Sequence, residues 1–170
     1  MPVARTIIPA ILLFCLQAAA QQTTFQDSLL DHMSGKWVLD GTIENQKTVH
    51  DVTAEWVLGH QYMQIREISR EKDAKGQPAY EAIVLIGWEK PSQQYVVLWL
   101  DSTSGAGLKG QALGYAQRNG DEIPILFKIG TTTFHTTFSY SPKSDTWQWR
   151  MDNEEKGKLE PFSRVKLTRK

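Results

Sequence analysis

Gly35-Lys36-Trp37 stands at the head of about ten segments of strand-like pattern, and no second long helix follows it. A glycine lets the chain turn tightly without a Cβ. A tryptophan behind it can plug the closed end of a small barrel, whose interior must be filled by side chains. Just upstream, Phe25, Leu29, Leu30 and Met33 recur at helical spacing until Ser34-Gly35 ends the segment. From Lys36 the period becomes two. Trp37, Leu39, Gly41 and Ile43 share one face, while Val38, Asp40, Thr42 and Glu44 share the other. A turn is expected at Asn45-Gln46-Lys47, after which Val52, Ala54, Trp56 and Leu58 share the next apolar face.

Further strands are expected over Gln61 to Arg70, Tyr80 to Glu89, Gln94 to Asp101, Leu108 to Gln117 and Glu122 to Ile129. Three more follow over Thr132 to Ser141, Thr146 to Asp152 and Lys158 to Thr168. Their separators, such as Asp73-Ala74-Lys75-Gly76-Gln77-Pro78 and Arg118-Asn119-Gly120-Asp121, have turn composition. Short strands at regular spacing predict an all-β, up-and-down antiparallel meander. Closure into a barrel is expected, because it removes the sheet edges.

The first twenty residues are set apart. Arg5 is their one charge, Ile7 to Leu16 is almost wholly apolar, and Ala18-Ala19-Ala20 offers small residues for cleavage. That order describes a secretory signal peptide over 1–20, its apolar run short for a membrane span. The expected mature protein is a single domain over 21–170, about 150 residues and long enough for a sizeable core. It would be secreted or periplasmic, with no stable membrane insertion once the leader is gone. The chain carries 19 basic and 19 acidic residues, so nothing resembles the basic footprint of a nucleic-acid binder. Its one cysteine, Cys15, falls in the leader. The mature protein would therefore lack thiol chemistry and disulfides and would be held by its core.

The chain resembles the calycin superfamily, the lipocalin and fatty-acid-binding-protein type of barrel. Within it the resemblance is nearest to a mostly bacterial lipocalin-like family of unknown function. The residues that carry it are Gly35-x-Trp37 after the helical segment, Gly59 between the second and third strands, and Gly87 followed by Tyr95, Trp99 and Asp101-Ser102. Gly87-Trp88-Glu89 stands where that family has Gly-Tyr-Asp. The resemblance implies a barrel of about 8–10 strands with a short N-terminal helix at one end. It also implies that an arginine of the last strand, Arg164, lies across the Trp37 ring as a cation–π partner.

Chemistry is sparsely signalled. There is no Gly-x-Ser-x-Gly and no cysteine nucleophile in the mature chain. His32, His50, His60 and His135 lack the spacing that would put two ligands on one face, so no metal is expected. His135 lies in Thr133-Phe134-His135-Thr136-Thr137. A proximal haem ligand is one reading of it, and a histidine in a polar row with Thr133, Thr137 and Ser139 is the other. The second is preferred, so no cofactor is expected.

The six tryptophans are the strongest ligand signal, since indoles bury large apolar area and stack on flat guests. Most must be core, and Trp56 and Trp99 are the candidates for pocket contacts. Charged residues within apolar strands are the second signal. Glu67 shares a face with Met63 and Ile65, and Asp101 shares one with Tyr95, Val97 and Trp99. A charge held inside a barrel needs a partner, a ligand or water. The expected function is thus non-catalytic binding of a small apolar or amphipathic molecule, through Trp56, Glu67, Trp99, Asp101 and His135. The alternatives are an enzyme using Glu67, Asp101 and His135 as acid and base, and a ligand-free interaction module.

Overall fold

The computed structural model describes residues 25–103 and 112–170. The expected leader and the first part of the strand expected from Leu108 lie outside the described residues. The elements are α1 (Ser28–Asp31), β1 (Gly35–Ile43), β2 (Gln46–Val57), β3 (Tyr62–Ser69), β4 (Glu81–Glu89) and β5 (Gln94–Asp101). After them come β6 (Leu113–Ala116), β7 (Glu122–Ile129), β8 (Thr132–Ser141), β9 (Thr146–Glu155) and β10 (Lys158–Arg169). Each strand pairs antiparallel with its neighbours in sequence, and β1 pairs with β10 to close the barrel. This closed ten-strand antiparallel barrel is consistent with a calycin-like fold.

Local chemistry sets the turns. Ile43 pairs with Gln46, leaving Glu44 and Asn45 as a two-residue loop with φ of 49° and 63°. Two positive φ values give the turn whose twist matches the flanking strands. Lys156-Gly157 does the same between β9 and β10. The first turn thus sits one residue earlier than Asn45-Gln46-Lys47, and β2 runs longer. Leu58, expected on the inner face, instead enters the next loop at φ 51° and is 73% exposed.

The helix is a single turn, shorter than the apolar spacing from Phe25 to Met33 suggested. Asp27, in an extended conformation, caps it by accepting from the backbone N–H groups of Leu29 (2.8 Å) and Leu30 (3.0 Å). Its carboxylate also accepts from the Tyr95 hydroxyl and lies 3.5 Å from Arg118. The cap therefore fixes the turn onto the barrel, where Leu29, Leu30 and Met33 are buried. Trp37 sits beneath them, fully buried, its Nε1 donating to the Met33 carbonyl at 2.7 Å. Below this plug, Ile65, Ile86, Val97, Ile125, Phe138 and Trp149 fill the interior, each buried.

The arginine over Trp37 is Arg169, its Cζ 4.1 Å from the ring centroid, not Arg164. The register explains the correction. Trp37 pairs directly with Arg169, and Val165, Leu167 and Arg169 share the inward parity of β10, whereas Arg164 points out and binds Asp152. Arg169 also donates to the carbonyls of Ser34 (2.9 Å) and His32 (3.1 Å), tying the helical turn to the last strand. Gly35 has φ 129°, and a Cβ there would lie 2.7 Å from Arg169 Nη1. The Gly of Gly-x-Trp thus leaves room for the guanidinium that covers the Trp.

Candidate functional site

The barrel is hollow at the end away from α1. A cavity of about 720 Å³ opens there, within the range of about 300–1,000 Å³ common for small-molecule sites. Its walls differ in chemistry. Phe127, Ile129, Phe134, Met151 and Phe162 form an apolar side. Phe162 is brought in by a bulge between Pro161 and Ser163, where β10 carries an extra residue against β9. Its ring meets Phe134 edge to face at 5.3 Å.

The facing wall is polar and comes from the inward positions of β2 and β3. Thr48 and His50 continue the inner row that begins with Ala54 and Val52, and they are 8% and 3% exposed. His50 lies opposite Ser69 and diagonal to Glu67, which pairs with Val52. That diagonal brings Nδ1 of His50 to Oε1 of Glu67 in a hydrogen bond, with Glu67 only 3% exposed. On the other side of the ring, Nε2 lies 2.7 Å from the Thr48 hydroxyl. Which of these two atoms donates follows the tautomer of the ring. The hydroxyl, imidazole and carboxylate thus form one hydrogen-bonded row.

Tyr80, from the connection between β3 and β4, stacks on His50 with centroids 5.6 Å apart and receives a hydrogen bond from Trp99 Nε1 at 3.3 Å. Burial, and then the nearby Glu67 charge, push its phenol far above the usual tyrosine range, so it stays protonated. Thr136, 1% exposed, lines the cavity from β8, and its hydroxyl has no hydrogen-bond partner among the described residues. Asp101 is at the mouth, where one carboxylate oxygen accepts from the N–H and hydroxyl of Thr103, both at 2.8 Å.

Of the residues singled out from sequence, Glu67, Trp99 and Asp101 come together around this cavity. Trp56 does not reach it. Its Nε1 donates to Asp31 at 2.8 Å and its ring stacks on His60 at 4.1 Å, both at the plugged end. His135 faces outward in the row with Thr133, Thr137 and Ser139, its Nε2 2.9 Å from Glu154. Its parity is opposite to that of the inward, buried Thr136 and Phe138. His50, Thr48, Tyr80 and Thr136 were missed, although His50 has the same parity as Val52 and Ala54. Extending that alternation back two residues would have placed His50 inside. Among the described residues, no three His, Cys, Asp or Glu side chains gather as a metal site, and no helix is long and apolar enough to cross a membrane.

No family model matches this chain, and a search of curated proteins finds no match.

Proposed function

We propose that this protein is an exported binding protein that holds a small amphipathic molecule in the barrel, within the mostly bacterial lipocalin-like group it resembles. The observation that carries the reading is the two-sided cavity. One wall is aromatic and aliphatic, and the other presents His50, Glu67 and Tyr80. A barrel that only needed a core would not keep a carboxylate this deep, since an enclosed charge costs several kcal/mol unless partnered. Such polar groups, few and convergent in an apolar cavity, orient a guest.

Binding is tested with an environment-sensitive apolar dye, read by dye emission and by Trp quenching. Trp99→Ala is expected to weaken dye binding at least about tenfold, whereas Thr42→Ala on the outer face should leave it unchanged. No dye binding at about 0.1 mM protein, a level that catches affinities near −5 to −6 kcal/mol, overturns the proposal. Export is tested by sequencing the N-terminus of secreted protein, where Gln21 is expected and an intact Met1 contradicts the leader.

The order Thr48, His50, Glu67 favours a second reading. Hydrolases use that sequence of hydroxyl, imidazole and carboxylate to activate a nucleophile. Under this reading His50 replaces His135 as the base. Hydrolysis of nitrophenyl esters that is abolished by His50→Ala would support it, and turnover no faster than buffer would dismiss it.

A further inference from the structure

Resting on the binding reading above, we propose that the guest is a cation: an organic amine on an aromatic or alkyl body, with its ammonium group at Glu67. Among the described residues, Glu44, Glu67 and Glu71 line the cavity together with one lysine, Lys47. Glu67 is the deepest of these. One of its oxygens is engaged by His50, and the other has no hydrogen-bond partner among the described residues. Glu67 lines the cavity, so its second oxygen offers an acceptor to a donor on the guest.

A carboxylate ligand would bring a second anion beside Glu67, in a place with little water to screen the repulsion. An alcohol would gain a hydrogen bond without neutralising the charge. An ammonium does both, and charge-assisted hydrogen bonds are the strong ones. The remaining walls suit the same class. The rings of Tyr80 and Trp99 also line the cavity and are of the kind that attracts a cation, while Phe127 and Phe134 take the apolar body. Across the cavity, the unpartnered Thr136 hydroxyl is a second polar group that the protein leaves unused.

The experiment compares phenylbutylamine, phenylbutanol and phenylbutyrate as competitors of a bound apolar dye at neutral pH. The amine should compete at least about tenfold more tightly than the alcohol, with the carboxylate weakest. Glu67→Gln should remove the amine's advantage and leave the alcohol unchanged. Dye binding with the amine no tighter than the alcohol overturns the amine inference and leaves the binding protein standing. Absence of dye binding overturns the binding reading and this inference with it. An amine preference that survives in Glu67→Gln overturns Glu67 as its seat. Should that variant fail to fold, NMR titration of the wild-type protein decides the location. Shifts at Tyr80 and Thr136 support the proposal, and shifts confined to the outer face overturn it.

Discussion

The two ends of the barrel are built from the same strands and solve opposite problems. Beneath α1, Met33, Trp37, Trp147 and Trp149 are fully buried and the interior is full. At the other end, the same strands surround a cavity lined with Thr48, His50, Glu67 and an unpartnered Thr136 hydroxyl. Close packing stabilises a protein, whereas voids and buried polar groups detract from it. The plugged end therefore carries the stability that the hollow end forgoes.

This contrast breaks most readily at Trp37. Trp37→Ala should lower the unfolding free energy by about 3–5 kcal/mol in a urea titration, because it empties the plug. A loss below about 1 kcal/mol would mean that the end is not filled as described.

The arginines of β10 sharpen the comparison. Arg169→Met should cost about 1–2 kcal/mol through its lost cation–π contact and its bonds to Ser34 and His32. Arg164→Met, whose bonds run along the outer face to Asp152 and the carbonyls of Met151 and Ser163, should cost less than Arg169→Met. Equal losses would remove the distinction between the two.

At the hollow end the sign should reverse. Thr136→Val replaces a hydroxyl that has no partner with a methyl of similar size, so the unliganded protein should gain about 1 kcal/mol. A loss of stability in the same titration would show that the hydroxyl is already satisfied.

The smallest effect concerns the outer wall common to both ends. Hydrogen bonds from Arg70 and then Lys170 hold Asp51 down at about 2, against an unfolded value of 3.8. A depressed folded value stabilises above the unfolded one, and the gain is lost as pH falls through the folded value. The melting-temperature gap between wild type and Asp51→Asn should thus be constant above about pH 5 and shrink toward pH 2. The group is well exposed, so the gap should be slight.

The fold was legible because alternation is a direct print of the barrel wall. Trp37, Leu39, Val52 and Ala54 were all assigned to inner faces by parity, and all are buried. Parity says in or out but not how far along. Thr48 and Trp56 lie on the same inner row of β2, yet eight residues of strand separate them by roughly 26 Å. One is therefore at the cavity and the other at the plug, which is why Trp56 was misplaced. Arg164 was misplaced for a different reason. Its parity is opposite to that of Val165 and Leu167, so alternation alone favoured Arg169. The bond between His50 and Glu67 was not legible, because it depends on the β2–β3 register, which the short loop after Val57 sets.

The closure has a consequence in time. Nearly every pairing joins neighbours in sequence and can form as soon as both strands exist, but β1 has its second partner only in β10. Arg169 reaches back across 135 residues to the carbonyl of Ser34. Until β10 is made, β1 offers a bare edge and Trp37 lacks its cover, the condition in which unfinished sheets pair with the wrong neighbour. Closing the seam and seating the plug are therefore a single late event. Removing β10 would undo both at once and leave nine strands without a lid.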